Sequence, residues 1–427
     1  MESLELLIKA HEQSRNAIHL IASESWLEQE ARLPYLLDVY SRYIYDIDDE
    51  DTVKDENGLL GQLPSFGGTE YLNKLESSCN KMLCDLLDAK YSCVKAISGL
   101  NMMISVLGSL VMKNETICSL PVEAGGHSAT KYVAERIGLQ HKFIPFIPGT
   151  FEIDRDAFKL MVQDIEVKMI YIDLMNVINT TDIACLRDIV GKKTIICYDA
   201  SHVLGLILGD QFQNPLKEGA DILIGSTHKT FPGPHKGIFV TNNRWYHMLY
   251  KLNHVLFISH THIGDTASLA LMLEKGKIFY QNYAKHVVDN AKALAGTMIE
   301  NGLTVYFQSS HQVWIDCGNI NITEAINECL NNGIYVNSIN IPHNHYKGIR
   351  IGVQEVTYHG FGEKEMFELG KILSKIFKSR KLNLYDKSIL KDLIDKQNED
   401  KDISMYNLYN LLERCFGAKK SLIKSTP

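Results

Sequence analysis

Residues 221–237, DILIGSTHKTFPGPHKG, restrict the fold of this chain more than any other stretch. The β-branched run at 222–224 passes into small hydroxyl residues, then His228 and Lys229, then two prolines that stop a helix from starting there. Together these residues predict a buried strand that delivers a lysine to a rigid loop. A lysine fixed at the end of a core strand can lose hydration, drop in pKa and attack a carbonyl carbon as a free amine. The same string also suits a surface lysine at a strand end, although lysine is seldom buried without a reason.

A second strand, KTIICY at 193–198, narrows that choice. It stops at Asp199-Ala200-Ser201-His202, followed by an apolar run containing glycine. In an α/β sheet, an acid at the carboxyl end of a buried strand points into the crevice where ligands bind. Asp199 and Lys229 facing one pocket make the pair that a pyridine aldehyde cofactor requires: a carboxylate for the ring nitrogen and a lysine to carry the aldehyde. The cofactor expected is pyridoxal 5'-phosphate.

Four strings occur in order: LIASES at 20–25, DASHVLGLI at 199–207, STHKT then PGP at 226–234, and GIRIG then VT and GF at 348–361. They resemble the serine hydroxymethyltransferase family. The resemblance implies an α/β, fold type I pyridoxal-phosphate architecture, with a mainly parallel seven-stranded sheet in a large domain and a smaller C-terminal α/β domain. It also implies a homodimer with shared active sites. The expected limits are 1–40 for an N-terminal arm, 41–260 for the large cofactor-binding domain, 261–380 for the smaller domain and 381–427 for a helical tail. Carried over by position, the resemblance gives Lys229, His127 and His202 to catalysis; Tyr45, in place of a family glutamate, is a second candidate after His127 for the base at the β-hydroxyl. It gives Ser98, Gly99, Asp199, His202, Ser226, His228, Lys229 and Gly264 to the cofactor, and Ser23, Tyr43 and Arg350 to the amino-acid substrate.

Several of these positions also have a plain physical reading. Residues 2–16 carry apolar groups at helical spacing, and residues 28–45 read as a further helix ending in YSRYIYD. Ser23 matches a serine that touches the substrate carboxylate, and it also suits a cap on the following helix. Tyr43 matches a tyrosine that reaches the neighbouring subunit's site, and a tyrosine in an amphipathic helix also suits the core. Ser98-Gly99 opens a helix whose free N–H groups can seat a phosphate, or simply caps it. Arg350 lies between β-branched residues, where a guanidinium is costly to bury unless it pairs, and a substrate carboxylate is its natural partner. His254, His260 and His262 invite a metal reading, but no acidic partner accompanies them and no metal is expected.

The departures from the family bear on the reaction. Tyr45 stands where the folate enzymes carry a glutamate for proton transfer, and Ser65-Phe66 stand where they carry two tyrosines. A phenyl ring cannot exchange a proton. Residues 46–64 between them are acidic and aperiodic, the composition of a solvated loop. Leu100 replaces a phosphate-binding serine, which leaves Ser226 or Thr227 to compensate. Glu123-Ala124-Gly125-Gly126-His127 matches an HGGH string whose first histidine stacks on the cofactor ring. Ala124 cannot stack, and His127 remains as a candidate acid or base, or as an ordinary hydrogen-bonded loop histidine.

Composition sets the outer bounds. The chain has 427 residues, 45% of them hydrophobic, enough for more than one core. Its net charge of −7, with no basic stripe, argues against nucleic acid. Nine cysteines without CxxC spacing read as reduced residues of a cytoplasmic protein. Neither an export signal nor a membrane-spanning run is visible. The partners expected are small molecules, an amino acid and an aldehyde. Three reactions compete: transfer of a hydroxymethyl group to folate, cleavage of threonine with proton quench, and cleavage of threonine with delivery of the glycyl unit to a second aldehyde. THKTFPGPHKG, HQVWID and GIRIGVQ are nearer to the L-threonine transaldolases of the superfamily, and that activity is the expectation. Threonine aldolase, serine hydroxymethyltransferase and a cofactor-binding pseudoenzyme stand as alternatives.

Overall fold

The computed structural model describes residues 2–44, 66–150, 152–318, 320–342, 347–379 and 381–416. Tyr45 and Ser65, both singled out by the sequence, lie outside the described residues.

Seven short runs build the main sheet: β1 (Tyr91–Cys93), β2 (Thr116–Ser119), β3 (Gln140–Phe143), β4 (Val167–Asp173), β5 (Ile195–Asp199), β6 (Ile222–Ser226) and β7 (Gly237–Thr241). Their order is β1-β7-β6-β5-β4-β2-β3, and β7 is antiparallel to both its neighbours while the rest of the ladder is parallel. Strands covered on both faces read as continuous apolar runs, as β4 and β5 do. Met169, Tyr171, Cys197 and Ile224 pack on one face with the helix Gly99–Leu110, while Ile170, Ile172, Tyr198 and Leu223 join the larger core on the other. The expected mainly parallel sheet of seven strands is therefore present.

A second sheet of four antiparallel strands follows: β8 (Thr304–Tyr306), β9 (Gln312–Asp316), β10 (Asn337–Asn340) and β11 (Lys347–Gly352), in the order β10-β11-β9-β8. The helix Ile263–Leu273 packs against Glu70–Leu87 beside the large sheet, and Gly276–Glu300 then carries the chain to the small one. At the N-terminus, Ile18–His19 pairs in parallel with Ile334–Tyr335, and the Gly352 N–H donates to Leu20 O at 2.8 Å. This stitches the LIASES string beside β11. The tail helix Leu384–Phe416 is anchored to the arm, with Gln397 Nε2 donating to Ala17 O and Arg15 paired to Asp402.

One helix expected from the sequence does not form. Over the described part of the 28–45 stretch, residues 28–44, the chain breaks into the 3-10 turn Glu30–Arg32, one turn of α-helix at Leu33–Leu36 and a second 3-10 turn at Asp38–Ser41. Pro34 opens its own turn, and Leu37 is extended at φ −94°, ψ 154°, so the apolar spacing there serves separate turns. Ser23 does not cap a helix either, because it sits in a turn with no helix directly after it.

Candidate active site

Strand β6 is buried throughout and ends at Ser226, from which the loop to β7 departs. Thr227 locks that loop: its Oγ1 donates to Pro234 O at 2.5 Å, and it accepts the Lys236 N–H at 3.1 Å. A Cβ at Gly233 would lie 2.4 Å from the Phe231 ring, which explains a glycine between the two prolines. Within this fixed loop the Lys229 Nζ lies 3.1 Å from His202 Nε2. Burial lowers the Lys229 ammonium from its ordinary value, against the opposing pull of Asp199. Burial first, and then Lys229, holds His202 far below the usual imidazole range. The pair is thus a neutral imidazole beside an amine poised to lose its proton.

Asp199, at the end of β5, is fixed by two donors. The Ser201 N–H reaches Oδ1 at 2.9 Å and the Tyr171 hydroxyl reaches Oδ2 at 3.0 Å. A cavity of about 260 Å³ lies over these groups, lined by Ser98, Gly99, Leu100 and Met103 from one side and Asp173, Asp199, Ser226 and Lys229 from the sheet. Ser98 caps the helix Gly99–Leu110 by accepting the Asn101 N–H at 3.1 Å, which leaves the helix N-terminus facing the cavity. A Cβ on Gly99 would stand 3.0 Å from Ser226 Cβ and 3.3 Å from Ser201 Oγ, filling this cradle.

His127 and His228 complete the lining. The His127 Nδ1 accepts the Ala129 N–H at 3.1 Å, so the neutral ring carries its proton on Nε2 and donates there. Burial lowers its pKa, keeping it neutral. The sequence reading placed the ring-stacking position at Ala124, but Ala124 lies outside this cavity and His127 lies in it. The Gly125–Gly126 turn folds back on residues 174–176, turning Ala124 away and His127 inward. His228 stacks on His235 at 4.0 Å, and burial brings it to about 3.

Arg350 comes from β11, opposite Trp314 of β9. It is 5% exposed, and its Nη1 donates to Met175 O and Asn176 Oδ1, both at 3.0 Å. No acidic side chain pairs with it among the described residues, and burial lowers it to about 10. Its charge acts on both Lys229 and His202, so it borders the same site. Ser23 is held beside that strand, since a Cβ at Gly352 would stand 2.4 Å from Ala22 Cα.

Two expected contacts are not brought together in this chain. Tyr43 does not line the cavity; it is 41% exposed, packs on Phe66 and His260 and donates to Ser259 O. Gly264 is covered by Tyr40, whose Cδ2 lies 2.7 Å from where its Cβ would be, and it does not line the cavity. Of the three histidines, His254 is buried and bonds to the Tyr250 and Lys251 carbonyls, while His260 and His262 meet edge to face at 4.9 Å. Among the described residues no group of three His, Cys, Asp or Glu could hold a metal ion. Sequence reasoning missed Tyr171 and Asp173, although Asp173 ends the apolar run VKMIYID just as Asp199 ends IICYD.

The lining fits a polar, anionic ring cofactor. His202 Nδ1, Ser226 Oγ, His228 Nδ1 and Asp173 Oδ1 are all buried without a partner among the described residues, and all belong to this one cavity. Buried polar atoms are otherwise nearly always satisfied, so four together mark a ligand seat. With a strand-end lysine, a strand-end acid and a helix N-terminus, the fold and site define a fold type I pyridoxal-phosphate enzyme. The serine hydroxymethyltransferase family model matches residues 2–373. An L-threonine:uridine-5'-aldehyde transaldolase of a Streptomyces species is 30% identical over 85% of this chain and 86% of its own length. The serine hydroxymethyltransferase of Pyrobaculum calidifontis is 30% identical over 92% of this chain and 91% of its own. An L-threonine transaldolase structure from Pseudomonas fluorescens superposes with a TM-score of 0.81 at 24% identity, covering 92% of this chain and 91% of that one. The chain belongs to the serine hydroxymethyltransferase family, and its cofactor is pyridoxal 5'-phosphate.

Proposed function

We propose that the enzyme cleaves L-threonine and passes the glycyl fragment to a second aldehyde, an L-threonine transaldolase reaction giving a β-hydroxy-α-amino acid. The observation that carries this reading is Phe66: it packs on Tyr43 at 4.7 Å, where the folate enzymes have a tyrosine, and offers no proton. The relative that acts on uridine-5'-aldehyde, 30% identical, supports it. When bound, the cofactor supplies an aldehyde that takes up the amine and a ring that draws electrons from the bond broken at Cα.

The chain's own groups do the rest. Lys229 is the amine that holds the cofactor, and Asp199 keeps the ring nitrogen protonated. Ser98, Gly99 and Ser226 seat the phosphate, with His228 at the pocket wall. Arg350, with Ser23 beside it, holds the substrate carboxylate and so fixes which bond at Cα is presented. His127 donates from Nε2 toward the β-oxygen, and the Lys229–His202 pair takes the proton that leaves it. Tyr43 serves the site of a second copy, since it lies away from its own; the helix Glu2–Arg15, with Leu4, Leu6, Leu7 and Ile8 exposed, offers that copy an apolar face. We therefore place the enzyme as a homodimer, which sedimentation would contradict by showing a monomer. All nine cysteines are free, which supports a cytoplasmic setting.

The second reading is serine hydroxymethyltransferase, favoured by the equal match to the Pyrobaculum enzyme. One comparison separates them: acetaldehyde released from threonine in buffer alone, against serine turnover with tetrahydrofolate. Rapid threonine cleavage without folate is expected. Inert threonine together with efficient serine turnover would replace the proposal by the second reading.

A further inference from the structure

Asp173 ends β4 as Asp199 ends β5, and the two stand opposite each other in register on adjacent parallel strands. Paired residues project to the same face of a sheet, and both carboxyls line the cofactor cavity. Asp173 is 4% exposed. Its Oδ2 accepts the Thr130 hydroxyl, while Oδ1 is buried and has no partner among the described residues. Asp199 accepts from two donors, the Tyr171 hydroxyl and the Ser201 N–H. Asp173 has one side-chain donor and a bare oxygen.

Two carboxyls sharing one dry site cannot both ionise without a large penalty. Burial, reinforced by the charge of Asp199, raises Asp173 well above the usual carboxylate range. The groups that face Asp173 do not reverse this. Tyr171 on its own strand and Cys197 on β5 are themselves raised well above their ordinary values by burial, so both stay neutral. The Thr130 hydroxyl and the backbone N–H groups of Asp173 and His127 pull the other way by favouring the anion, but less than burial opposes it; the His127 ring is kept neutral, and Lys229 lies across the cavity beside His202. A protonated Oδ1 is then a buried donor whose acceptor is missing until the cavity is filled.

We propose that Asp173 is a second carboxyl of the cofactor site, held as the neutral acid, so that Asp173 and Asp199 together carry one negative charge and one proton beside the ring. One negative charge balances the one positive charge of a protonated ring nitrogen, and a second anion there would be uncompensated. The arrangement parallels other sites in which a carboxylic acid is kept neutral by its surroundings so that it can donate. It has a further consequence. Removing the charge of Asp199 takes away one of the two effects that keep Asp173 protonated, burial being the larger, so Asp173 ionises more readily and can serve the ring nitrogen in its place. The inference rests on the cofactor assignment and not on the acceptor aldehyde, so its failure leaves the transaldolase reading standing.

Two measurements on the purified apoenzyme test it. The infrared spectrum should contain the carbonyl stretch of a protonated carboxylic acid that disappears in Asp173→Asn. Pyridoxal 5'-phosphate titrations, followed by protein fluorescence across a pH series, should show that Asp199→Asn gains affinity with rising pH more steeply than the native protein, because Asp173 ionises in addition to Lys229. Asp173→Asn/Asp199→Asn should keep only the pH dependence that Lys229 confers on every variant, with affinity at least about tenfold below the product of the single effects. Circular dichroism checks the fold of each variant, and Asp173→Ser provides the same readouts should the asparagine variant not fold. Additive single effects, or a spectrum in which loss of Asp173 removes no such band, would overturn the proposal.

Discussion

Replacing Arg350 by lysine keeps a positive charge and removes a fork. Arg350 uses Nη1 on Met175 O and Asn176 Oδ1 at 3.0 Å each, and Nε on Asn337 Oδ1 at 3.4 Å. Those bonds fix the plane of the guanidinium and, among the described residues, leave Nη2 open for the substrate carboxylate we propose it holds. A lysine ammonium is a single point with three donors, and satisfying Met175 O and Asn176 Oδ1 would pull it away from the substrate. Breaking one side of a buried charged pair costs about 2–5 kcal/mol, and the lower figure corresponds to roughly 30-fold in affinity. Burial brings Arg350 to about 10, so it remains charged at neutral pH and the loss is one of geometry. Arg350→Lys is therefore expected to raise the apparent KM for threonine about 30-fold or more, while cofactor affinity changes less than about threefold because Arg350 is outside the cofactor cavity. The assay is acetaldehyde release against threonine concentration, run beside a fluorescence titration with pyridoxal 5'-phosphate. An unchanged KM, or an equal loss of cofactor affinity, would refute the assignment.

Lys229→Ala should fold, lack the yellow absorbance of bound cofactor and turn over no amino acid; borohydride labelling that marks a different lysine in the native enzyme would overturn that role. Gly99→Ala should weaken cofactor binding by about tenfold, because its Cβ enters the cradle 3.0 Å from Ser226 Cβ; unchanged affinity in a cofactor titration would show that this helix N-terminus does not seat the phosphate. His228 and His311 are lowered to about 3 and His254 to about 4, in each case chiefly by burial. These rings bind protons more readily when unfolded, so their contribution is fully present above about pH 6.5 and is lost as pH falls toward the folded values, at about 1.4 kcal/mol per pH unit for each. Urea midpoints should accordingly fall steeply between about pH 6.5 and 4.5, and a flat profile would show that these histidines are not buried neutral.

The parts of the site legible in the sequence are those where one residue type is out of place in an apolar strand. Asp199, Lys229 and Arg350 each end or interrupt a β-branched run, and such a violation is visible without tertiary contacts. Asp173 carries the same signal at the end of VKMIYID, but no motif follows that strand to mark it as part of a site. The orientation of a loop is harder to read. Whether Ala124 or His127 enters the cavity depends on the Gly125–Gly126 turn against residues 174–176, a contact fifty positions away that spacing does not encode. The broken helix at 28–45 is a case of period misread: the apolar spacing is helical, but Pro34 and the extended Leu37 divide it into separate turns. Gly264 and Tyr43 belong to neither category. Tyr40 covers one and Phe66 with His260 flanks the other, so neither meets the cavity of its own chain.

The most direct measurement follows the glycyl carbons. Threonine labelled with heavy carbon in its carboxyl and α positions would be incubated with the holoenzyme, without folate, in the presence and absence of a panel of aldehydes, and the products read by mass spectrometry. A transaldolase transfers both labels into a new β-hydroxy-α-amino acid whose mass tracks the aldehyde supplied, with acetaldehyde released in equal amount. Label found in glycine alone whatever aldehyde is present, or threonine left intact while serine and tetrahydrofolate are consumed, would contradict it.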